Sequence, residues 1–378
     1  MRTEVNINID MITWAINRAG LDLSDFMIKF PNIEKWLQAK KSPTVKQLEK
    51  FSHKVHLPFG YLFLQEPPEE ILPIPFFRTN SADDKKVSVN VYDTILLMQQ
   101  RQNWLRDYLK DNEYKNLDFV GKFKGKDDYL QIVADIRKTI GLEYEWANSL
   151  RTWEEALEYL TSKIEESGII VVFNGVVENN TQRPIKVEEC RGFVLVDDIA
   201  PLMFINAADS KAAQLFTIVH ELAHIWMGQS AGFDFRQLMP ANNPIEILCD
   251  KIAAEFLVPE ESFNRIWQAK KDIIQTARYF KVSPIVAGRR AMDLGKITKV
   301  EFFDFYNDYK KQYQIRKDKQ SGGGDFYATT KKRLSMKYAY YINQAVKTNK
   351  LLYRDAYKLT GLKGDTYQTF INKHFISI

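Results

Sequence analysis

Apolar residues recur at the spacing of short amphipathic helices along the first 55 residues of the chain. Gly20 and Pro31 interrupt the pattern, as residues that end helices do. Since each segment offers only one apolar face, we expect the segments to pack together as a small helical bundle. The predicted helices span residues 11–19, 23–29, 33–39 and 44–55.

Prolines are concentrated just beyond this bundle, at Pro67, Pro68, Pro73 and Pro75. Proline fixes φ and removes a hydrogen-bond donor, so the stretch 66–80 is predicted to be a linker. Helical spacing then returns before the pattern changes to short β-branched runs, which are typical of strands. The predicted helices span residues 89–109, 129–140 and 153–166, and the predicted strands span residues 169–173, 192–196 and 202–205.

Two apolar helices follow this small sheet, over residues 210–227 and 244–257. Gly228 ends the first, and Pro259 follows the second. A glycine-rich stretch at 321–324 is predicted to be flexible. Further predicted helices span residues 266–279, 284–294, 299–313, 331–347 and 352–360.

The whole pattern predicts an α+β fold that is mostly helical. With 378 residues the chain exceeds one ordinary hydrophobic core, so several domains are expected. Its 45% apolar and 27% charged residues are average for globular proteins and exclude disordered and collagen-like classes. The predicted parts are an N-terminal helical domain (1–65), the linker (66–80), a central domain (81–300) and a helical, basic and aromatic-rich C-terminal region (301–378).

Targeting signals and disulfides are not indicated by the sequence. No run approaches the roughly 20 apolar residues that span a bilayer, and residues 1–10 lack a basic and apolar signal pattern. We therefore expect a cytoplasmic protein with no membrane partner. Cys190 and Cys249 are too far apart for a CxxC pair and are expected to be reduced packing residues.

Positive charge is concentrated at the C-terminal end. Residues 301–378 hold 15 Lys and Arg against 7 Asp and Glu, a net +8 in a chain of net +5. Such asymmetry can mark contact with nucleic acid, although a lysine-rich helical face can equally be only solvated. Residues 1–70 hold nine basic and nine acidic side chains, whereas a DNA reader is normally basic. DNA therefore stays open as a partner.

His220, Glu221 and His224 form an HExxH pattern inside the predicted helix 210–227. Four helical steps bring the two imidazoles onto one face, where both can bind one zinc ion. Glu221 lies beside that face and can take the proton of an attacking water. Because the surrounding residues are apolar nearly all round, the helix is expected to be buried, and a metal would satisfy the polar groups.

A catalytic zinc needs a third protein ligand and an open position, and Glu246 is the strongest candidate. Asp250 follows one helical turn later, placed to accept the free N–H of a zinc-bound histidine. This ExxxD spacing resembles the third-ligand helix of thermolysin-like peptidases. Residues 202–206 resemble the edge strand along which such peptidases hold an extended substrate.

Several segments together resemble the ImmA/IrrE family of metallopeptidases, whose members often carry an N-terminal helix-turn-helix domain of the Xre type. The resemblance implies a zincin-like, gluzincin-type domain with His220, His224 and Glu246 as zinc ligands and Glu221 as general base. Two departures are Cys249, where the family usually has alanine, and the stretch 29–36, which is short for a recognition helix. The segments are HLPFGYLFL (56–64), LPIPFFRT (72–79), FTIVHELAH (216–224), EILCDKIAAEFLVP (246–259), GGGDFY (322–327) and LLYRDAYKLTG (351–361).

The resulting expectation is a zinc endopeptidase that cuts a specific protein. The resemblance implies a transcriptional repressor as substrate, in control of a mobile element or stress response. One alternative is a DNA-binding or antitoxin-like regulator whose zinc is structural or sensory. Another is an interaction module without metal. The metal content of the purified protein would distinguish the metal-free module, since about one zinc per chain is expected only for the peptidase and for the zinc-containing regulator.

Overall fold

The computed structural model describes residues 4–70, 76–77, 87–233, 243–317 and 326–375, without the side chains of 76–77, 231–233, 312–317 and 326–328. These ranges form the predicted α+β fold, which is mostly helical. The predicted flexible stretch 321–324 lies outside them, as does most of the predicted linker. None of the described helices is long and apolar enough to cross a membrane.

The helices begin and end close to the predicted positions in most cases. They are α1 (Ile9–Arg18), α2 (Leu23–Lys29), α3 (Asn32–Leu37), α4 (Val45–Lys54), α5 (Val89–Asp111), α6 (Tyr129–Ile140), α7 (Trp153–Glu166), α8 (Lys211–Met227), α9 (Pro244–Leu257), α10 (Glu260–Lys270), α11 (Ile273–Phe280), α12 (Pro284–Asp293), α13 (Lys299–Lys317), α14 (Phe326–Leu334), α15 (Met336–Lys347), α16 (Tyr353–Thr360) and α17 (Gly364–Phe375).

The strands are short. They are β1 (Phe76–Phe77), β2 (Ile170–Asn174), β3 (Val176–Val177), β4 (Asn180–Pro184), β5 (Gly192–Leu195), β6 (Leu202–Asn206) and β7 (Ala231–Phe233). Single 3-10 turns lie at Phe59–Phe63 and Trp146–Ser149.

The chain divides into two compact units. The first comprises Met1–Pro73 and Asp83–Leu96, and the second comprises Ile74–Ala82 and Leu97–Ile378. In the first unit, α1 to α4 enclose a core in which Phe26 and Trp36 both pack edge-on against Phe51.

A five-stranded mixed sheet forms the centre of the second unit, in the order β1-β7-β5-β6-β2. Strand β6 pairs with β2 in parallel and with β5 antiparallel, and β7 pairs with β5 antiparallel. All residues of β2, β5 and β6 are buried, which explains their continuous apolar sequence. A separate hairpin of β3 and β4 follows β2.

The expectation that residues 202–206 form the substrate-holding edge strand is wrong. Strand β6 has a hydrogen-bonded neighbour on each side, so its backbone groups are already paired within the sheet. A buried interior strand and an edge strand have similar apolar patterns, and the sequence does not distinguish them.

Two predicted helices are each broken in the structure. The segment 266–279 divides between α10 and α11 at Lys271, which has φ 47, and the Asp272 side chain caps α11 by accepting from Gln275 N. The segment 331–347 divides at Ser335, with φ 63, whose hydroxyl caps α15. Asp and Ser side chains satisfy the exposed N–H groups of a new helix and so favour the break. The sequence interpretation also missed α17 and the hairpin of β3 and β4.

Within the second unit, Arg101 of α5 holds the ends of two C-terminal helices. Its fully buried guanidinium donates from Nε to the carbonyl of Leu359 at 2.9 Å and from Nη1 to that of Arg333 at 3.1 Å. These carbonyls lie at the C-terminal ends of α16 and α14, where a helix dipole favours a cation. The end of α16 is therefore held in a fixed position.

A loop docks on the C-terminal end of α8. Gly121 N donates to the carbonyl of Ile225 at 2.9 Å, Phe123 N donates to that of Trp226 at 3.0 Å, and the Phe119 ring stacks on Trp226. Helix α8 then ends at Gly228 in the left-handed conformation, with φ 69. A Cβ at Gly228 would lie 2.9 Å from Cα of Gly121, so this close approach requires glycine.

We predict that Gly228→Ala destabilises the protein more than Gly295→Ala does. Both glycines have positive φ, but a Cβ at Gly295 would meet nothing within 4 Å. The left-handed strain costs about 1–2 kcal/mol at either position, and the contact with Gly121 adds about 1–3 kcal/mol at Gly228 only. Urea unfolding of both variants measures the difference, and equal losses of stability would contradict the proposed close approach.

Candidate metal centre

Helix α8 carries His220, Glu221 and His224 into the centre of the second unit. Ser210 starts this helix by accepting from Ala213 N, and the sheet strands β5 and β6 pack against it. His220 and Glu221 are 0% exposed and His224 is 1% exposed. An uninterrupted apolar helix thus places three ionisable side chains where solvation by bulk water is lost.

Helix α9 supplies the acidic side of the site. Asn243 caps it by accepting from Ile245 N, and Pro244 takes the first helical position, which suits a residue without N–H. Glu246 in the first turn is buried, at 4% exposure, and faces α8. The other end of α9 is fixed by a buried ion pair between Glu255 and Arg290.

Three nitrogen and oxygen donors converge between the two helices. His220 Nε2 lies 3.2 Å from His224 Nε2 and 3.1 Å from Glu246 Oε2. His224 Nε2 lies 3.2 Å from Glu246 Oε1. The three residues thus form a cluster with metal-ligating geometry among the residues that the structure describes.

These separations fit one tetrahedral zinc ion. Ligand atoms bonded to zinc at 2.0–2.2 Å with tetrahedral angles lie about 3.3–3.6 Å apart. The observed edges of 3.1 and 3.2 Å are shorter by only a few tenths of an ångström. Two imidazoles and one carboxylate are also a donor set that zinc accepts, with room for a fourth ligand.

Asp250 fixes which nitrogen of His220 faces this cluster. Its Oδ1 lies 3.0 Å from His220 Nδ1, and since a carboxylate only accepts, Nδ1 carries the proton. His220 Nε2 is then directed at the two other donors. Asp250, with 36% of its side chain exposed, is the least buried member of the site.

The buried Glu246 carboxylate favours a positive charge between the members of the cluster. Burial lowers the pKa of His220, but contacts with Asp250 and Glu246 outweigh burial and raise that pKa to about 10. Burial raises the pKa of Glu246, yet contacts with both imidazoles lower it to about 2. Burial lowers the pKa of His224. A proton on His220 or a bound metal ion can supply the positive charge that the carboxylate favours.

Glu221 differs from the other members because its carboxylate forms no hydrogen bond with the described residues. Both of its oxygens are buried and accept no hydrogen bond from the described residues. Burial raises the pKa of Glu221 well above its usual value, and the charge of Glu246 adds to this effect. Such an unsatisfied buried carboxylate is costly in a native structure and is typical of functional sites.

The family comparison covers the elements that build this cluster. Residues 164–292 match a peptidase family profile described as the IrrE N-terminal-like domain. Over these residues the chain is similar to the IrrE N-terminal-like domain family. The match confirms the resemblance to the ImmA/IrrE metallopeptidases over these residues. Residues 334–373 match a domain of unknown function (DUF8813), and no curated protein matches the chain.

The domain that contains the matched residues brings together all five residues that the sequence singled out: His220, Glu221, His224, Glu246 and Asp250. Sequence reasoning missed Gly192, although its place at the start of an apolar strand was visible. A Cβ at Gly192 would lie 2.6 Å from Cγ2 of Thr217, 3.0 Å from the carbonyl oxygen of Phe204 and 3.3 Å from Oε1 of Glu221. The absence of a side chain there lets α8 pack closely against β5 of this domain.

We predict that Gly192→Ala destabilises the protein by about 1–3 kcal/mol through overpacking. Thr217→Ser removes Cγ2, the nearest atom, and keeps the hydroxyl that donates to the carbonyl of Ala213. The double variant Gly192→Ala/Thr217→Ser should therefore regain about 1 kcal/mol relative to the sum of the single changes. Chemical unfolding of the wild type, the two single variants and the double variant measures this coupling. If the changes in the free energy of unfolding simply add, the contact between the two residues does not limit the approach of α8.

Proposed function

We propose that this protein is a zinc-dependent endopeptidase. His220, His224 and Glu246 bind the metal, Glu221 acts as general base, and Asp250 orients His220. Support comes from the match to a peptidase family over residues 164–292 and from the three converging donors. Two histidines and one glutamate are a known ligand set of catalytic zinc in peptidases.

One observation carries the proposal, namely a buried Glu221 carboxylate that accepts no hydrogen bond from the described part of the chain and lies beside a set of three donors. A structural zinc site is closed by four protein ligands and has no use for a further acid. A hydrolytic site needs both an open coordination position and a base next to it. The arrangement therefore favours catalysis over a purely structural role.

The chain's residues perform the proton transfers of peptide hydrolysis. When bound, zinc supplies a Lewis acid that polarises the scissile carbonyl and lowers the pKa of a water molecule to about 7. Glu221 accepts the proton that this water loses as its oxygen bonds to the carbonyl carbon. Glu221 then gives the proton to the amide nitrogen, and the C–N bond breaks to leave a carboxylic acid and an amine. The remaining proton of the water passes from the acid to the amine, so the final products are a carboxylate and an ammonium group. Asp250 keeps the Nδ1 proton on His220 throughout.

A protein is the substrate class that a peptidase domain implies. From the resemblance to ImmA/IrrE metallopeptidases, we propose a specific intracellular protein, most simply a transcriptional repressor whose removal activates a mobile element or stress response. The alternative is a regulator in which the metal is structural or sensory. Cleavage that depends on Glu221 separates the two, since only the peptidase uses this carboxylate.

The replacement Glu221→Gln should abolish cleavage and preserve metal binding. Glutamine keeps the size of the side chain but cannot accept the proton, so we expect kcat to fall by about 10²–10⁴. Cleavage of co-encoded proteins by the purified variant, with and without chelator, measures this effect. Glu261→Gln, an exposed change on α10, is the control. Unimpaired cutting by Glu221→Gln would refute the proposed base.

Substitutions of Glu246 and Asp250 should change zinc binding to different extents. Glu246→Ala removes one of three ligands, so zinc should fall from about one per chain to a small fraction. Asp250→Asn preserves the three ligands, and we expect zinc affinity to fall by about 10–100-fold. Competition with a chromogenic chelator measures both, with Glu261→Ala as control. Normal zinc content in Glu246→Ala would exclude this glutamate as a ligand.

A further inference from the structure

The last three helices, α15, α16 and α17, form a small module in which a short turn joins α16 to α17. Helix α16 has eight residues, three residues form a turn, and α17 has twelve residues. Gly361 ends α16 in the left-handed conformation, with φ 69, and its N–H donates to the carbonyl of Tyr357 at 2.9 Å. A turn of three or four residues with a glycine is the connection found in the helix-turn-helix arrangement of DNA-binding proteins.

The core of this module supports the same arrangement. Leu362 in the turn is 2% exposed and Tyr367 of α17 is 2% exposed, and the Tyr367 ring contacts the rings of Tyr353 and Tyr357 on α16. Helix α15 completes a three-helix core. The buried apolar and aromatic residues of these three helices and of the turn are Tyr338, Ala339, Ile342, Ala345, Ala356, Leu359, Leu362, Tyr367, Phe370 and Ile371.

One face of α17 is exposed and carries side chains that can pair with base edges. Asp365, Gln368, Thr369 and Asn372 are exposed and lie on one helical face at spacings of three and four residues. Amide side chains can bond adenine in the major groove, and a carboxylate can accept from the amino group of cytosine. Gln368 Nε2 donates to Asn372 Oδ1 at 3.0 Å, so their polar groups are already oriented together.

Positively charged residues lie around this polar face. Residues 334–373 contain seven Lys or Arg and two Asp, a net charge of +5. Arg354 and Lys358 are exposed one turn apart on α16, and Lys363 is exposed in the turn. In helix-turn-helix proteins the first helix of the pair crosses the phosphate backbone, where such cations are needed.

From these observations we infer that residues 334–375 form a helix-turn-helix module that binds double-stranded DNA, with α17 in the major groove. Arg354, Lys358 and Lys363 contact phosphates, and Gln368 and Asn372 contact base edges. An acidic protein segment is the rival partner. A surface that binds such a segment would need cations at the centre of the α17 face, where this protein has the amides of Gln368 and Asn372. This binding is independent of the proposed peptidase activity.

A second pair of helices in the chain has similar spacing but lacks a free face. Helices α11 and α12 are also separated by three residues, with Lys281 in the left-handed conformation. Within α12, however, Asp293 at its end is the only exposed residue, and Gly288 packs against Phe302 and Phe305 of α13. Helix α12 therefore cannot enter a groove without unpacking, whereas α17 can.

The test compares two pairs of exposed cations in the full-length protein. Arg354→Ala/Lys358→Ala removes two charges from α16, and Lys46→Ala/Lys50→Ala removes two charges at the same spacing from α4. Anisotropy titrations of a labelled random duplex DNA measure affinity across salt concentrations. We expect the α16 pair to weaken binding by at least about 10-fold and to reduce the slope of log K against log salt by about 2, since each phosphate contact contributes about 0.9. The α4 pair should change neither quantity.

Three results would overturn the inference: no binding of duplex DNA by the wild-type protein at low salt, equal effects of the two pairs, or equally effective competition by polyglutamate. Selection from a random duplex library tests the role of α17 separately. The wild-type protein should enrich one sequence motif. The Arg354→Ala/Lys358→Ala variant should bind DNA more weakly but enrich the same motif, whereas Gln368→Ala/Asn372→Ala should enrich a different motif or none. The same motif from the α17 variant would exclude base reading by these residues. Unaltered thermal melting confirms that each variant is folded.

Discussion

The structure depends on a carboxylate and two imidazoles that converge in a place from which water is largely excluded. The Nε2 atoms of His220 and His224 lie 3.2 Å from each other, and each lies 3.1–3.2 Å from one carboxylate oxygen of Glu246. Asp250 keeps the proton of His220 on the other ring nitrogen. Lone pairs arranged in this way repel one another unless a cation lies between them. A protonated imidazole satisfies the cluster only in part, whereas a metal ion satisfies all three donors at once.

The surrounding fold serves to hold α8 and α9 at this separation. Helix α8 rests on strands β5 and β6, where Gly192 allows it to approach closely, and its far end is fixed by the loop at Gly121. Helix α9 is fixed by the ion pair of Glu255 with Arg290. Rigid helices are better supports for a metal site than loops, because a displacement of about 1 Å can cost much of the activity. The Glu221 carboxylate is thereby held in position by packing, without hydrogen bonds from the described residues.

Much of the site could be predicted from sequence because its parts follow helical periodicity. His220 and His224 are four residues apart, as are Glu246 and Asp250, and these spacings place each pair on one helical face whatever the rest of the chain does. Gly192 could not be predicted as a neighbour of Glu221, since contact between β5 and α8 depends on tertiary packing. For the same reason the interior position of β6 was missed, because burial on both faces gives edge and interior strands the same apolar pattern. The breaks at Lys271 and Ser335 depend on side-chain capping, which competes with continuation of the helix and is hard to weigh from sequence.

The central claim concerns the ligands of one metal ion, and X-ray absorption at the zinc edge of the purified protein tests it most directly. The account predicts about one zinc per chain with a first shell of nitrogen and oxygen only, at about 2.0–2.2 Å, including two imidazoles. Cys249 lies in α9 between Glu246 and Asp250, so a shell that contains sulfur at about 2.3 Å would contradict the proposed ligand set. A protein that takes up no zinc would contradict the account as a whole.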